Sequence, residues 1–148
     1  MDFPKLNLPK VVLKTKLVRG TIQVFDVVRK KYFKLTAEEW VRQQFIHYLN
    51  NHKNYPLGLM GVERMVSYND LKIRADIIIY NTKGNPYMIV ECKAPNVNIT
   101  QGTFDQISRY NIKLKVRYLV VTNGRQHFCC AMDYKSNIIT FLDEIPIF

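Results

Sequence analysis

The sequence predicts a mixed α/β fold, a β-sheet with helices packed over it, on three observations. A capped segment with helical apolar spacing begins at Thr36, and the apolar period changes to that of strands after Pro56. A second helix-like segment then separates those strands from a continuous β-rich run at residues 118–122. The chain has 148 residues, 47% of them hydrophobic and 23% charged, which supports a buried core and excludes intrinsic disorder. Lys and Arg number 22 against 12 Asp and Glu, a net charge of +10 that favours a polyanionic partner. Three cysteines, two of them adjacent, exclude a disulfide framework. No apolar run approaches the roughly 20 residues needed to cross a bilayer. The opening Met1-Asp2-Phe3-Pro4-Lys5 lacks the apolar stretch of a signal peptide, so a cytoplasmic location is expected.

Taken in order, residues 1–35 form a basic N-terminal extension, with Lys5, Lys10, Lys14, Lys16, Arg19, Arg29, Lys30, Lys31 and Lys34. Apolar and polar residues alternate loosely on either side of Gly20, the pattern of a short hairpin or a pair of irregular strands packed on the core. A merely solvated basic face would carry the same charge. Residues 36–148 make the main domain. Thr36-Ala37-Glu38-Glu39 is a capping box, in which Thr36 accepts from the N–H of Glu39 and Glu39 reaches back to the N–H of Thr36. Trp40, Val41, Phe45, Tyr48 and Leu49 then give one apolar stripe on a helix of about four turns, ended ahead of Pro56.

Residues 57–68, 71–80 and 86–93 read as strands, the last two joined by the turn-forming segment 81–85. A second helix is expected over 103–115, with Phe104, Ile107, Tyr110 and Asn111 along one side. Residues 118–122 read as a strand buried on both faces. Asn123-Gly124 marks a turn, followed by strands near 127–132 and 138–142.

Asp76 interrupts an apolar strand, and Glu91 and Lys93 end the next one on a shared face. If Tyr80 pairs with Tyr87 across the turn, Ile78 faces Ile89 and Asp76 faces Glu91, with Cβ atoms about 5 Å apart. Two carboxylates so placed repel unless one is protonated or a cation lies between them. Mg²⁺ or Mn²⁺ suits an all-oxygen site, and a neighbouring lysine can orient or deprotonate water. This is an apparatus for metal-assisted phosphodiester hydrolysis. The bland readings are an Asp76 ion pair with Lys72 or Arg74, and a simple Glu91–Lys93 pair. His47, His52 and His127 lack metal-ligand spacing, as do Cys129 and Cys130, and Cys92 should point into the core.

Asp76, then fourteen residues, then Glu91-Cys92-Lys93 resembles the D-(x)n-E-x-K motif of the PD-(D/E)xK nuclease superfamily. Gln106 to Tyr110 matches the Q-x-x-x-Y motif of one of its branches. The stretches from Tyr32 through Thr36–Gln43 and at Thr122-Asn123-Gly124 resemble, more closely, the family named for the N terminus of the type I restriction enzyme R protein. The likeness spans residues 20–145. It implies a restriction-endonuclease-like core, with a mixed β-sheet flanked by helices. It also implies Asp76, Glu91 and Lys93 as catalytic residues. Asp76, Glu91 and the backbone carbonyl of Cys92 would hold Mg²⁺ or Mn²⁺, with Glu38 or Glu39 added from the first helix and Glu39 favoured. Gln106, Tyr110, Arg74 and Arg109 would support the site and touch DNA. The usual proline before the aspartate is replaced by Ala75, and nothing resembles a Walker motif.

The expected activity is therefore that of a Mg²⁺-dependent DNA endonuclease linked to restriction and modification. Its partners would be DNA, a helicase or motor or other restriction subunits, and a second copy as a homodimer for double-strand cutting. The alternative is a non-catalytic or partner-dependent DNA-binding module of a restriction or defence complex. A third reading, an anionic-membrane binder, lacks a basic amphipathic helix.

Overall fold

A computed structural model describes residues 3–68 and 70–148, leaving aside the side chains of Tyr68, Tyr110, Asn111 and Ile112. Three short antiparallel strands come first, β1 (Thr15–Val18), β2 (Thr21–Asp26) and β3 (Lys31–Lys34), in the order β1-β2-β3. The basic extension thus contributes a three-stranded sheet rather than a hairpin. Gly20 and Arg19 take left-handed backbone at the first turn, with φ of 78° and 49°. Lys30 does the same at the second turn, with φ of 58°.

Helix α1 spans Ala37–Lys53. As expected, Thr36 Oγ1 accepts from the N–H of Glu39 at 3.1 Å. The reciprocal half of the capping box does not form, because the Glu39 carboxylate takes hydrogen bonds from Arg29 and Arg42 at 2.6 and 2.9 Å. The apolar stripe is also wider than the spacing implied. Arg42, Gln43 and Gln44 are buried with Val41, Phe45, Ile46 and Leu49; Arg42 lies against Glu63 and Asp76 of the large sheet, and Gln43 donates to Asp26 of the small sheet at 2.9 Å.

A short 3₁₀ turn at Leu57–Leu59 leads into a six-stranded sheet of β4 (Met60–Tyr68), β5 (Leu71–Tyr80), β6 (Pro86–Cys92), β7 (Tyr118–Thr122), β8 (His127–Asp133) and β9 (Ile138–Leu142), in that order. Neighbours are antiparallel except β6 and β7, which are parallel and joined by α2 (Gln101–Asn111) as the crossover. The helix starts two residues before the expected 103, and residues 112–114 form a 3₁₀ turn in place of its last turn.

The sheet separates two cores. On one face α1 packs Val41, Phe45, Ile46 and Leu49 against Ile77, Ile79, Met88, Val90 and Val120. On the other, Phe104 of α2 and Leu114 and Val116 beyond it meet Ile78, Ile89, Leu119 and Val121. Strands buried on both faces read as continuous apolar runs, as β7 does. Among the described residues no helix is long and apolar enough to cross a membrane.

Candidate functional site

Strand register brings the first two acids together. Ile78 pairs with Ile89 and Ile77 with Val90, so one more step along the same register sets Asp76 beside Glu91. The turn differs from expectation. An irregularity between Ile79 and Tyr80 pairs Tyr80 with Pro86 instead of Tyr87, which leaves the deeper pairs unshifted. Asp76 accepts the backbone N–H of Cys92 at 2.8 Å through one carboxylate oxygen. The Cys92 side chain turns into the core on the α1 side.

Glu91 and Lys93 open onto a cleft of about 500 Å³ with Ile73, Arg74, Thr103 and Gln106. Burial pushes the Glu91 carboxyl up to about 9, and the nearby Asp76 charge and a hydrogen bond to Asp76 push in the same direction. Lys93 pulls it down, by less. Two carboxyls this close favour either a proton on one of them or a cation between them.

The other side of Asp76 meets α1. Arg42, with only 6% of its side chain exposed, aims its guanidinium among four carboxylates. Its Nη1 donates to Glu39 at 2.9 Å, and its Nη2 lies 3.2 Å from Asp76 and 3.3 Å from Glu38 and also bonds Glu63. Desolvation opposes the Arg42 charge, but the surrounding carboxylates prevail and raise its pKa. Glu63 bonds Arg74 as well. It stands in β4 with φ of 53°, between the pairs Val62–Ile77 and Arg64–Ala75, a left-handed kink opposite Asp76. One oxygen each from Glu38, Glu63 and Asp76 lies within 4.8 Å of the others, so this group is compatible with a divalent cation. Burial and the Asp76 charge raise the Glu38 pKa, against the pull of Arg42 and Lys93.

The structure thus places Asp76, Glu91, Lys93 and Gln106 around one site and adds Glu38 from the first helix. Glu39 is held by two arginines, so the first-helix acid that joins the cluster is Glu38, the alternative less favoured from sequence. Arg74 pairs with Glu63, not with Asp76, and Arg109 is exposed on α2. The Tyr110 side chain lies outside the described residues. His127 is a tie within the fold, its ring bonding Thr122 Oγ1 at 2.7 Å and the Asn7 carbonyl at 2.9 Å. Sequence reasoning missed Glu63 and Arg42. Their signal was faint: a charge in the exposed-looking half of a strand, and a charge at a helix position next to the apolar stripe.

Comparison with known proteins agrees with this arrangement of elements. No curated protein matches the chain. A solved fragment ascribed to the HsdR subunit of a type I restriction enzyme from Vibrio vulnificus YJ016 superposes with a TM-score of 0.51 at 20% identity. The match covers 76% of this chain and 24% of that one, so the chain spans about a quarter of the neighbour's length. The family model for the type I restriction enzyme R protein N terminus matches residues 37–146, well over half of the sequence. On that match the chain belongs to the family of type I restriction enzyme R protein N-terminal domains.

Proposed function

We propose that this chain is a metal-dependent DNA endonuclease domain of the PD-(D/E)xK kind, with a restriction-endonuclease-like core. The observation that carries the reading is the strand register that sets Asp76 beside the half-buried Glu91, at the wall of a cleft that also contains Lys93 and Gln106. An acid pair so placed is suited to take a divalent cation between its members. The residues fit such an ion. Asp76 and Glu91 would hold Mg²⁺ or Mn²⁺, with the Cys92 carbonyl, Glu38 and Glu63 close by. Such an ion, when bound, polarises the phosphodiester and acidifies water. Lys93 is set beside the two acids to hold the attacking water by its oxygen and to stabilise charge growing on the phosphate. Gln106, across the cleft on α2, and exposed Arg74 and Arg109 would grip the backbone phosphates. The family supports DNA and the other subunits of a type I restriction complex, its motor included, as partners. A homodimer would supply the second cut of a duplex.

One observation favours a second reading, a partner-dependent or non-catalytic DNA-binding module. The Arg42 guanidinium already bonds Asp76, Glu38 and Glu63, the position a cation would take. Two measurements separate the readings. Supercoiled plasmid should be nicked by the wild type in Mg²⁺ or Mn²⁺ and not by Lys93→Ala; equal activity in both would remove Lys93 from the chemistry. Mn²⁺ should raise the melting temperature of the wild type, by about 2.7 kcal/mol of stability at a hundredfold excess over Kd. Salt-sensitive DNA binding without nicking or metal stabilisation would favour the binding module.

A further inference from the structure

The small sheet lies outside the family's matched range of residues 37–146, and its two faces differ in character. The inner face holds buried Val24 and Asp26, the latter tied to Gln43 of α1 and to Arg29. The register sets the opposite face. Lys16 pairs with Gln23, Gln23 with Lys34, and Phe25 with Tyr32, while the Phe25 N–H bonds the Lys14 carbonyl. By strand alternation Lys14, Lys16, Gln23, Phe25, Tyr32 and Lys34 share this outer face.

Two aromatic rings adjoin at its centre, Phe25 and Tyr32, with centroids 5.2 Å apart and planes inclined by 59°, so each offers its own face. Lysines bracket them. The Lys16 ammonium is 3.9 Å from the Tyr32 centroid, and that of Lys14 is 5.1 Å from Phe25 and 6.0 Å from Tyr32. Lys34 completes the rim, and all three lysines are exposed. Both rings are half-exposed, and the lysine ammonium groups beside them can turn to phosphates while the rings meet bases. Adjacent rings on an open sheet face with cations at backbone distance match the stacking and charge demands of single-stranded nucleic acid. Duplex DNA offers the same phosphates but keeps its base faces stacked inside, where these rings cannot reach them.

We propose that the outer face of β1–β3 binds single-stranded nucleic acid, bases on Phe25 and Tyr32 and phosphates on Lys14, Lys16 and Lys34. The site is independent of the carboxylate cluster, and its test involves no cleavage. Fluorescence anisotropy with the whole chain in EDTA would compare a labelled oligothymidylate of about 12 nucleotides, the matching oligouridylate and a duplex of the same length. The oligothymidylate should bind more tightly than the duplex, and the oligouridylate decides between a preference for DNA and tolerance of RNA. Phe25→Leu and Tyr32→Leu should each weaken single-strand binding by about tenfold and leave duplex binding unchanged. The triple substitution of Lys14, Lys16 and Lys34 by Ala should reduce the salt slope by about 2. Unchanged single-strand affinity in a folded protein carrying both Phe25→Leu and Tyr32→Leu would overturn the proposal. If that variant does not fold, photocrosslinking of a bromouridine oligonucleotide to the wild type decides. Adducts on Phe25 or Tyr32 support the site, and adducts confined to other segments refute it.

Discussion

Replacing Glu91 by Gln tests whether the cleft contains a carboxyl that resists ionisation. In the folded chain Glu91 rises from an ordinary value of 4.5 to about 9, through burial and the neighbouring Asp76. Between those two values the folded protein holds a proton that the unfolded chain has released. Stability therefore belongs to the acid side: it is full below about pH 4.5 and declines as pH rises toward 9. The slope from this one group is about 1.4 kcal/mol per pH unit, so three units from pH 5 to pH 8 amount to about 4 kcal/mol. Gln keeps the shape and donates an N–H to Asp76 in place of the carboxyl O–H, but it has nothing to ionise. Urea unfolding in EDTA should show the stability of Glu91→Gln relative to wild type growing by about 3–4 kcal/mol across that range. Lys93 and Glu38, the other charged groups near Glu91, are common to both proteins. Parallel stability curves would refute the reasoning, because they would mean Glu91 carries the same charge folded and unfolded. Added Mn²⁺ should shrink the gap at pH 8, where the wild-type pair can take the ion.

Two further substitutions probe the neighbouring charges and the helix start. Arg42→Met leaves Glu38, Glu39, Glu63 and Asp76 without their shared cation and should lower stability by about 3–5 kcal/mol near neutral pH. Crowded carboxylates without Arg42 bind protons more tightly folded than unfolded, so this variant should recover part of the loss on acidification; a loss independent of pH in urea titrations would contradict that account. Thr36→Ala removes the acceptor of the Glu39 N–H and should reduce stability by about 1 kcal/mol, read as a lower urea midpoint with an unchanged denaturant slope.

What the sequence made legible was local. Thr36 marked the start of α1, the apolar run of residues 118–122 marked a central strand, and the turn between β5 and β6 came close enough to set Asp76 near Glu91. What it hid was tertiary. Arg42 and Gln43 occupy polar-looking helix positions, and tertiary contacts bury both: Arg42 lies among Glu39, Glu63 and Asp76, and Gln43 bonds Asp26 of the small sheet. Glu63 enters the cluster through a left-handed kink in β4, a backbone state that glutamate seldom adopts and local patterning does not announce. Glu39 illustrates the competition. Its spacing fitted the capping box, but two guanidinium groups from Arg29 and Arg42 bind a carboxylate more strongly than one backbone amide does.

The division of the interior into two cores gives the adjacent thiols Cys129 and Cys130 separate uses. Cys92 and Cys129 lie in the layer under α1, whereas Cys130, adjacent in sequence, faces the layer under α2. Burial pushes Cys129 up to about 12 and Cys130 up to about 11, so neither presents a reactive thiolate while its layer is closed. Modification by a thiol reagent then reports opening, layer by layer. Single-cysteine proteins retaining only Cys129 or only Cys130 would time the release of each helix from the sheet, with two adjacent residues serving as clocks for opposite sides of the molecule.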